Sequence, residues 1–370
     1  MKIINYTNFI LPFVVRFTSA PMSDAFMTLA QTASGISCFV VPRWLPNGMQ
    51  NSGFQLQRLK DKMGDKSNAS SEVEYRQAYG YLLGQEGRGI RTIVDMVVHT
   101  RLDCVIGSAA LMRQCAQLAM QHCLTRNTFG KALADQPLMR AVLCDLAIET
   151  ESAIGLWMRL AASLDRANGG TKDEVVASHE AAFVRLATAV AKYWVCKRAP
   201  IVAYEAMEVH GGNGYVEEGP MAALYRQAPL NAIWEGSGNV ICLDVLRAVS
   251  REPESARALF QELIRSCDKA SDIGKNTYVE TVKSLQKELA SGDHAALEFG
   301  ARSLVDRLAL CLAASVLIQD GDPTVAKCFL RTRLPLGGAT CIPVHNLGAA
   351  TSILDKDDIE HLISRMKVLS

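Results

Sequence analysis

The sequence predicts an α+β chain that is mostly α-helical, with a β-rich module first, a helical bundle next and a helical tail last. Two changes of texture predict it. Residues 17–85 are rich in β-branched residues and turn signals, the mark of short strands joined by tight loops. From Gly89 onward apolar residues recur at three- and four-residue steps, the period of a helix with one buried face.

Within the module, residues 37–41 read as a strand, 42–52 as a loop around Pro46-Asn47-Gly48, and 71–75 as a second short strand. The first helix carries Leu102, Val105, Ile106, Ala109, Met112 and Ala116 on one face and runs to a turn at Arg126. A second runs from Pro137 through Leu160, with the proline suited to a first-turn position. Asn168-Gly169-Gly170-Thr171 breaks the chain, and residues 173–207 form a third helix in which Pro200 is placed to kink or interrupt it. Long helices with short connections make an antiparallel bundle, so the Gly-rich turns at 211–214 and 236–238 stand at its ends. After Arg251-Glu252-Pro253 come amphipathic segments at 255–267, 277–290, 294–318 and 357–368, separated by Gly292, the 321–323 turn and a loop over 334–346. No internal repeat or low-complexity tract is present.

With 370 residues, 49% hydrophobic content and a net charge of +1, the chain can bury a large core in two or three domains. No apolar run reaches the roughly 18 residues of a membrane span, so no membrane association is expected. Eleven cysteines, an odd number without CxxC pairs, indicate neither a disulfide framework nor a metal site. They read as reduced core thiols and favour a reducing intracellular compartment, the cytoplasm first. Residues 251–370 hold 15 Lys/Arg and 16 Asp/Glu, without the basic surplus of a phosphate-binding surface. A local basic face remains in Arg251, Arg257, Arg265 and Lys269, joined by Arg331 and Arg333, although interleaved acids make a solvated face the plainer reading.

The chemistry-bearing stretch is Trp234-Glu235-Gly236-Ser237-Gly238-Asn239. A carboxylate beside an indole is poorly solvated, an environment suited to taking and returning a proton. Gly236 and Gly238 let the backbone approach a flat ring closely, and Ser237 or Asn239 can cap the helix suggested by Val240, Leu243 and Leu246. Such an end favours an anion. By local composition alone, Glu235 is equally at home as a structural residue at a helix start. Arg126 likewise reads as surface charge, as a partner of the helix C-terminus, or as a phosphate ligand. His210 reads as a locally bonded loop residue, and Met22, Met207 and Trp234 as packing.

Three segments in order, Arg126-Asn127-Thr128-Phe129-Gly130-Lys131, Glu208-Val209-His210-Gly211-Gly212-Asn213-Gly214-Tyr215 and the Trp234-Glu235-Gly236 run, resemble the acyl-CoA dehydrogenase family. Thr18-Ser19-Ala20-Pro21-Met22-Ser23-Asp24, the 37–43 strand, the 60–74 segment and Ile233 through Asn239 are similar to its AidB-type, alkylation-response branch. The resemblance runs from about residue 17 and thins after about 250. It implies a fold of a partial middle β-domain at 17–85, the family's C-terminal helical bundle at 86–250 and a helical tail domain at 251–370, after an atypical N-terminus at 1–16. The family's first, all-helical domain has no counterpart, and a truncated or misread gene start explains that better than a signal peptide built on Lys2 and the apolar run at 9–15.

The resemblance also implies roles. Glu235 becomes the base that removes a thioester α-proton while the β-hydrogen leaves as hydride to the flavin of FAD. Thr100, not an acid, precedes Arg101, where some members place the base instead. Arg126 and Phe129 reach the flavin pyrophosphate of a neighbouring subunit, which implies a homo-oligomer, dimer or tetramer. Gly211 and Gly212 lie near the adenine dinucleotide, Ile233, Trp234, Gly236, Ser237, Gly238 and Asn239 frame the cofactor beside the base, and Thr18 and Ser19 touch the isoalloxazine. Glu208 stands where many relatives carry Gln. Three functions follow: an acyl-CoA dehydrogenase, whose activity the missing domain weakens; a flavoprotein that binds double-stranded DNA through its tail; or an inactive remnant.

Overall fold

The computed structural model describes residues 2–4, 15–17, 19–269, 272–290, 293–334 and 347–367. Thr18, most of the 1–16 stretch and the expected loop beyond Leu334 lie outside the described residues. The chain divides into two compact units, Met1–His99 and Thr100–Ser370.

The first unit is built on two antiparallel sheets. Strands β1 (Lys2–Ile4), β2 (Val15–Phe17), β3 (Ala25–Thr32), β4 (Gly35–Pro42), β5 (Phe54–Leu59), β6 (Ser71–Tyr75) and β7 (Ala78–Leu83) pair as β1-β7-β4-β3 and β2-β6-β5. Alternation decides which residues go inside: Phe26, Thr28 and Ala30 of β3 and Ser71, Val73 and Tyr75 of β6 are buried. Phe26 stacks on Phe54 at 4.4 Å between ring centroids, within a core that also holds Phe39 and Val41. Asn51 is wholly buried and serves as a strand substitute, its amide donating to Pro42 and Tyr79 carbonyls at 2.9 Å each. The Lys62 ammonium gathers the 60–70 loop, donating to the Asn68 carbonyl at 2.7 Å and the Ser70 hydroxyl at 3.0 Å.

The second unit is helical. Helix α1 (Gly89–Thr125) begins in the first unit and continues into it, followed by the hairpin β8 (Asn127–Thr128) and β9 (Lys131–Ala132), then α2 (Pro137–Asp165) and α3 (Glu174–Val209). Asp173 caps α3, its carboxylate accepting from Val175 and Val176 amides at 2.9 and 3.2 Å. Of the two outcomes expected at Pro200, a kink or a break, the break does not occur, and α3 runs on through the proline. Its neighbours Ala199, Val202 and Ala203 are fully buried, and that packing offsets the single hydrogen bond a helical proline removes. Short helices α4 (Gly212–Tyr215) and α5 (Pro220–Gln227) lead to α6 (Gly238–Arg251).

The tail comprises α7 (Pro253–Cys267), α8 (Asp272–Leu289), α9 (His294–Phe299), α10 (Ala301–Asp320), α11 (Pro323–Arg333) and α12 (Lys356–Met366). Helix α3 packs against α2, α6, α7 and α10. The expected single segment at 294–318 is two helices, parted at Gly300, and its second part is buried nearly all round instead of amphipathic. Helix α11 falls within a stretch that the sequence leaves unassigned. There Asp322 and Pro323 start a helix, the aspartate accepting from Thr324 and Val325 amides at 2.9 and 3.1 Å. The ten cysteines among the described residues are unpaired, and no described helix is long and apolar enough to cross a membrane.

Candidate active site

The turn before α6 carries the expected base in an unusual backbone. Trp234 donates its amide to the Leu230 carbonyl at 3.1 Å, and the chain then passes through Glu235 at φ +57° and Gly236 at φ +107° before Ser237 resumes an extended conformation. A left-handed glycine is free of cost, but a left-handed glutamate costs about 1–2 kcal/mol. Glu235 and Trp234 are half-buried, and Ile233 is exposed.

Two cations from neighbouring helices hold that turn by its main-chain oxygens. Arg101 of α1 donates from Nε to the Glu235 carbonyl at 3.3 Å and from Nη1 to Asp244 of α6 at 2.6 Å. Asp244 also accepts from Arg185 of α3 at 3.3 Å, and Arg185 reaches Glu252 at 3.1 Å. Burial works to raise the Asp244 pKa, yet Arg101 and Arg185 together hold it below the usual carboxylate range. Lys192 of α3, 1% exposed, donates to the Gly236 carbonyl at 2.5 Å. Burial lowers its pKa, while the nearby Cys196, Cys104 and Glu235 act in the opposite sense. Burial pushes Cys104 up to about 12 and Cys196 up to about 11, so both stay protonated near neutrality. Sequence reasoning weighed Arg101 only as the neighbour of Thr100 and missed Lys192, Asp244 and Arg185. The available signal was a lysine set among Ala189, Val190, Ala191 and Val195, since lysines are rarely buried without a partner.

Replacing Lys192 by methionine, which keeps the stem and deletes the donor, is expected to cost about 1–3 kcal/mol because a buried carbonyl loses its partner. Urea denaturation measures this; stability equal to wild type would show that the bond contributes nothing.

Capping departs from expectation. Ser237 occupies the N-cap of α6 but makes no side-chain cap hydrogen bond, and the side-chain amide oxygen of Asn239 accepts from Arg302 of α10 at 2.8 Å. Asn239 is the second residue of α6, past the N-cap position, so its side chain is not placed to cap. A Cβ at Gly238 would lie 2.7 Å from Lys197 Cε, so a larger residue there requires the lysine side chain to swing aside.

A second group of expected residues gathers where α1 and α3 end. Arg126 directly follows α1 and is exposed, and among the described residues its guanidinium makes no hydrogen bond or ion pair. Phe129 at φ +49° and Gly130 at φ +85° form the tip of the β8–β9 hairpin, with Phe129 99% exposed. His122 near the end of α1 lies 4.7 Å from the His210 ring, whose Nδ1 bonds the Ala206 carbonyl at 2.7 Å. Burial lowers the His122 pKa, and the charges of His210 and Arg126 add to that. Beside His210, Gly211 adopts φ +59°, and a Cβ at Gly211 or Gly212 would meet nothing within 4 Å.

Ser19 belongs to the first unit. It too is left-handed, and its hydroxyl donates to Asn68 at 2.6 Å. Thr18 lies outside the described residues. Met22 is exposed, so its expected packing role does not hold. The expected basic pair Arg331 and Arg333 does not form an open face either. Arg333 is 1% exposed between Asp145 and Glu149, and Arg331 bonds Asp358 and the Ile353 carbonyl.

The donors fit a dinucleotide in chemical kind. An unpaired exposed guanidinium, open space above Gly211 and Gly212, and an α6 N-terminus without a side-chain cap are what a pyrophosphate with its adenosine requires.

Residues 87–250 match the family model described as the acyl-CoA dehydrogenase C-terminal domain. The chain is 42% identical over 323 residues to the putative acyl-CoA dehydrogenase AidB of Escherichia coli, covering 87% of this chain and 56% of that protein. It is 29% identical over 316 residues to acyl-CoA dehydrogenase family member 11 of Caenorhabditis elegans, covering 81% and 50%. The crystal structure of C. elegans ACDH-11 in complex with C11-CoA superposes with a TM-score of 0.77 at 27% identity, over 84% of this chain and 57% of that one. An acyl-CoA dehydrogenase from Bacillus anthracis complexed with FAD shares the fold, with a TM-score of 0.66 at 17% identity over 94% and 62%. The chain spans about half the length of the curated relatives it matches. On the family model, the AidB-like sequence and the shared fold together, the chain belongs to the acyl-CoA dehydrogenase family.

Proposed function

We propose that this protein is a flavin-dependent acyl-CoA dehydrogenase in which Glu235 removes the α-proton of an acyl thioester. One observation carries the reading: a glutamate, where glycine would be easier, is kept in left-handed backbone by Arg101 and Lys192 bound to its own and the next carbonyl. Strain held by surrounding structure gathers at sites where a side chain must be aimed. Both bonds go to main-chain oxygens, which leaves the carboxylate itself available for proton transfer.

FAD, when bound, supplies the hydride acceptor. Arg126 would hold its pyrophosphate, Gly211 and Gly212 would admit the adenosine end, and the Ser237–Gly238–Asn239 amides at the start of α6 would face anionic or carbonyl oxygen. Ile233, Trp234 and Gly236 would complete the frame. The acyl-CoA class is supported by the relative crystallised with C11-CoA. The test is reconstitution with FAD followed by anaerobic addition of short, branched and medium-chain acyl-CoA. Bleaching of the flavin band by one of them is the expected result, and FAD uptake without bleaching by any would reject the dehydrogenase reading.

The oligomer is part of the same reading. A phenylalanine 99% exposed at a hairpin tip gains little from its own chain, so Phe129→Ala is expected to leave the stability of the fold within about 0.5 kcal/mol. Sedimentation velocity should show a shift toward smaller species and weaker FAD retention. An unchanged assembly would remove Phe129 from the subunit interface.

A further inference from the structure

We propose that a cavity walled by α2, α3, α7, α10 and α12 binds a small amphipathic anion: one carboxylate or phosphate monoester head on a short aliphatic body. The cavity has a volume of about 620 Å³, within the range of small-molecule sites. None of the residues assigned above to the base or to FAD lines it.

Most of its charge is already matched. At the floor Arg159 lies between Glu180 and Glu262, both at 2.9 Å, and over the Phe183 ring at 4.4 Å, while Arg166 adds a bond to Glu180 at 3.0 Å. Burial opposes ionisation of Arg159 and Glu180, but their hydrogen bonds to each other and to Glu262 and Ser163 keep both charged. On the far wall Arg365 bonds both oxygens of Glu151, at 2.9 and 3.1 Å, and Asp322 at 3.3 Å. Among the described residues, Arg265 and Lys269 are the lining cations without a carboxylate partner, and Asp320 is the lining acid without a cation. With five cations and five acids the lining is neutral as a whole, and its unmatched positive charge is concentrated at Arg265 and Lys269. Arg265 in the last turn of α7 and Lys269 two residues past its end are both exposed and can close on one anionic head.

The remaining lining selects the body of the ligand. Ile154, Met158 and Ala162 of α2 and Val316 and Leu317 of α10 supply the apolar lining, and Met158 is 53% exposed. A thioether left open to solvent is an adaptable surface for aliphatic groups. A head at Arg265 and Lys269 with its chain along this wall uses both features; a fully polar ligand would use only the first.

Isothermal calorimetry on the full chain tests this with octanoate, octyl phosphate and inorganic phosphate as probes. Saturable binding of octanoate or octyl phosphate is expected, with the better of the two identifying the head group and inorganic phosphate far weaker. The exposed pair Arg265→Gln with Lys269→Gln should weaken it by about 10-fold, and Ala162→Phe, which fills the cavity, should abolish it. Should Ala162→Phe melt early, the glutamine pair decides alone. Failure of both amphiphiles to bind, or affinity unchanged in the glutamine pair, would overturn the proposal, as would displacement of the amphiphile by acyl-CoA.

Discussion

Replacing Glu235 by glutamine is expected to slow the bleaching of FAD-loaded protein by acyl-CoA about 10²–10⁴-fold, the usual contribution of a positioned base, while the flavin stays bound. Glutamine keeps the size of the side chain and leaves the Arg101 and Lys192 bonds in place, because those go to main-chain oxygens. The substitution therefore removes proton acceptance and little else. Glu235→Gly is the companion variant. It gives the φ +57° position to a residue that adopts it freely, and the relief outweighs or balances the entropy of a glycine in the unfolded chain, a change of about 0–1 kcal/mol toward stability. A more stable but inactive glycine variant is the expected signature of strain held for function. A glycine variant much less stable than wild type would instead make the carboxylate a structural element of the turn.

Glu149→Ala is expected to cost about 3–5 kcal/mol, the range for breaking one partner out of a buried ionic cluster. At about 2–4 °C per kcal/mol, that lowers Tm by roughly 6–20 °C. Glu149 of α2 accepts two hydrogen bonds from Arg198 of α3 at 2.9 Å each and one from Arg333 of α11 at 3.0 Å. Arg333 continues to Asp145 at 2.5 Å, and Asp145 accepts the Gly348 amide at 2.5 Å. With Arg198 5%, Glu149 2% and Arg333 1% exposed, alanine would take from two buried guanidinium groups the carboxylate they share. Burial alone would raise the Glu149 pKa, but Arg198 and Arg333 hold it below the usual range. The carboxylate is thus harder to protonate folded than unfolded. Its stabilisation is complete above the unfolded value of about 4.3 and disappears as pH falls through the lower folded value. Urea denaturation at neutral and acid pH should show the gap between wild type and variant narrowing in acid. A gap independent of pH would contradict the ionic account.

The long helices were legible because their cores repeat at helical spacing, as Leu102, Val105, Ala109, Met112 and Ala116 do in α1. Strand β3 was not, because two of its inward residues, Thr28 and Ala30, are small or polar and blunt the alternation. Helix α10 reads as part of one amphipathic segment, but Leu304, Leu308, Leu310, Leu312 and Leu317 are buried on every side, and α11 was hidden by an Asp-Pro pair that reads as a break when it is a cap followed by a first-turn proline. At the site, the position of Glu235 was legible from its neighbours, but its left-handed backbone was not, since Gly236 and Gly238 seemed to meet the demand for such conformations. The ionic ties were illegible for a different reason. Arg101 and Asp244, or Glu149 and Arg333, are far apart in sequence, and only the charges set within apolar runs, such as Asp145 and Glu149 in Cys144-Asp145-Leu146-Ala147-Ile148-Glu149, hinted that partners were needed.

Proton abstraction by Glu235 is open to direct observation without relying on hydride transfer. A short acyl-CoA incubated anaerobically in D₂O with FAD-loaded protein can be followed by proton NMR at its α-carbon. Wild type should wash deuterium into that position and Glu235→Gln should not. Equal incorporation by both proteins would mean that another group takes the proton, and the left-handed turn would then serve the fold instead of the reaction.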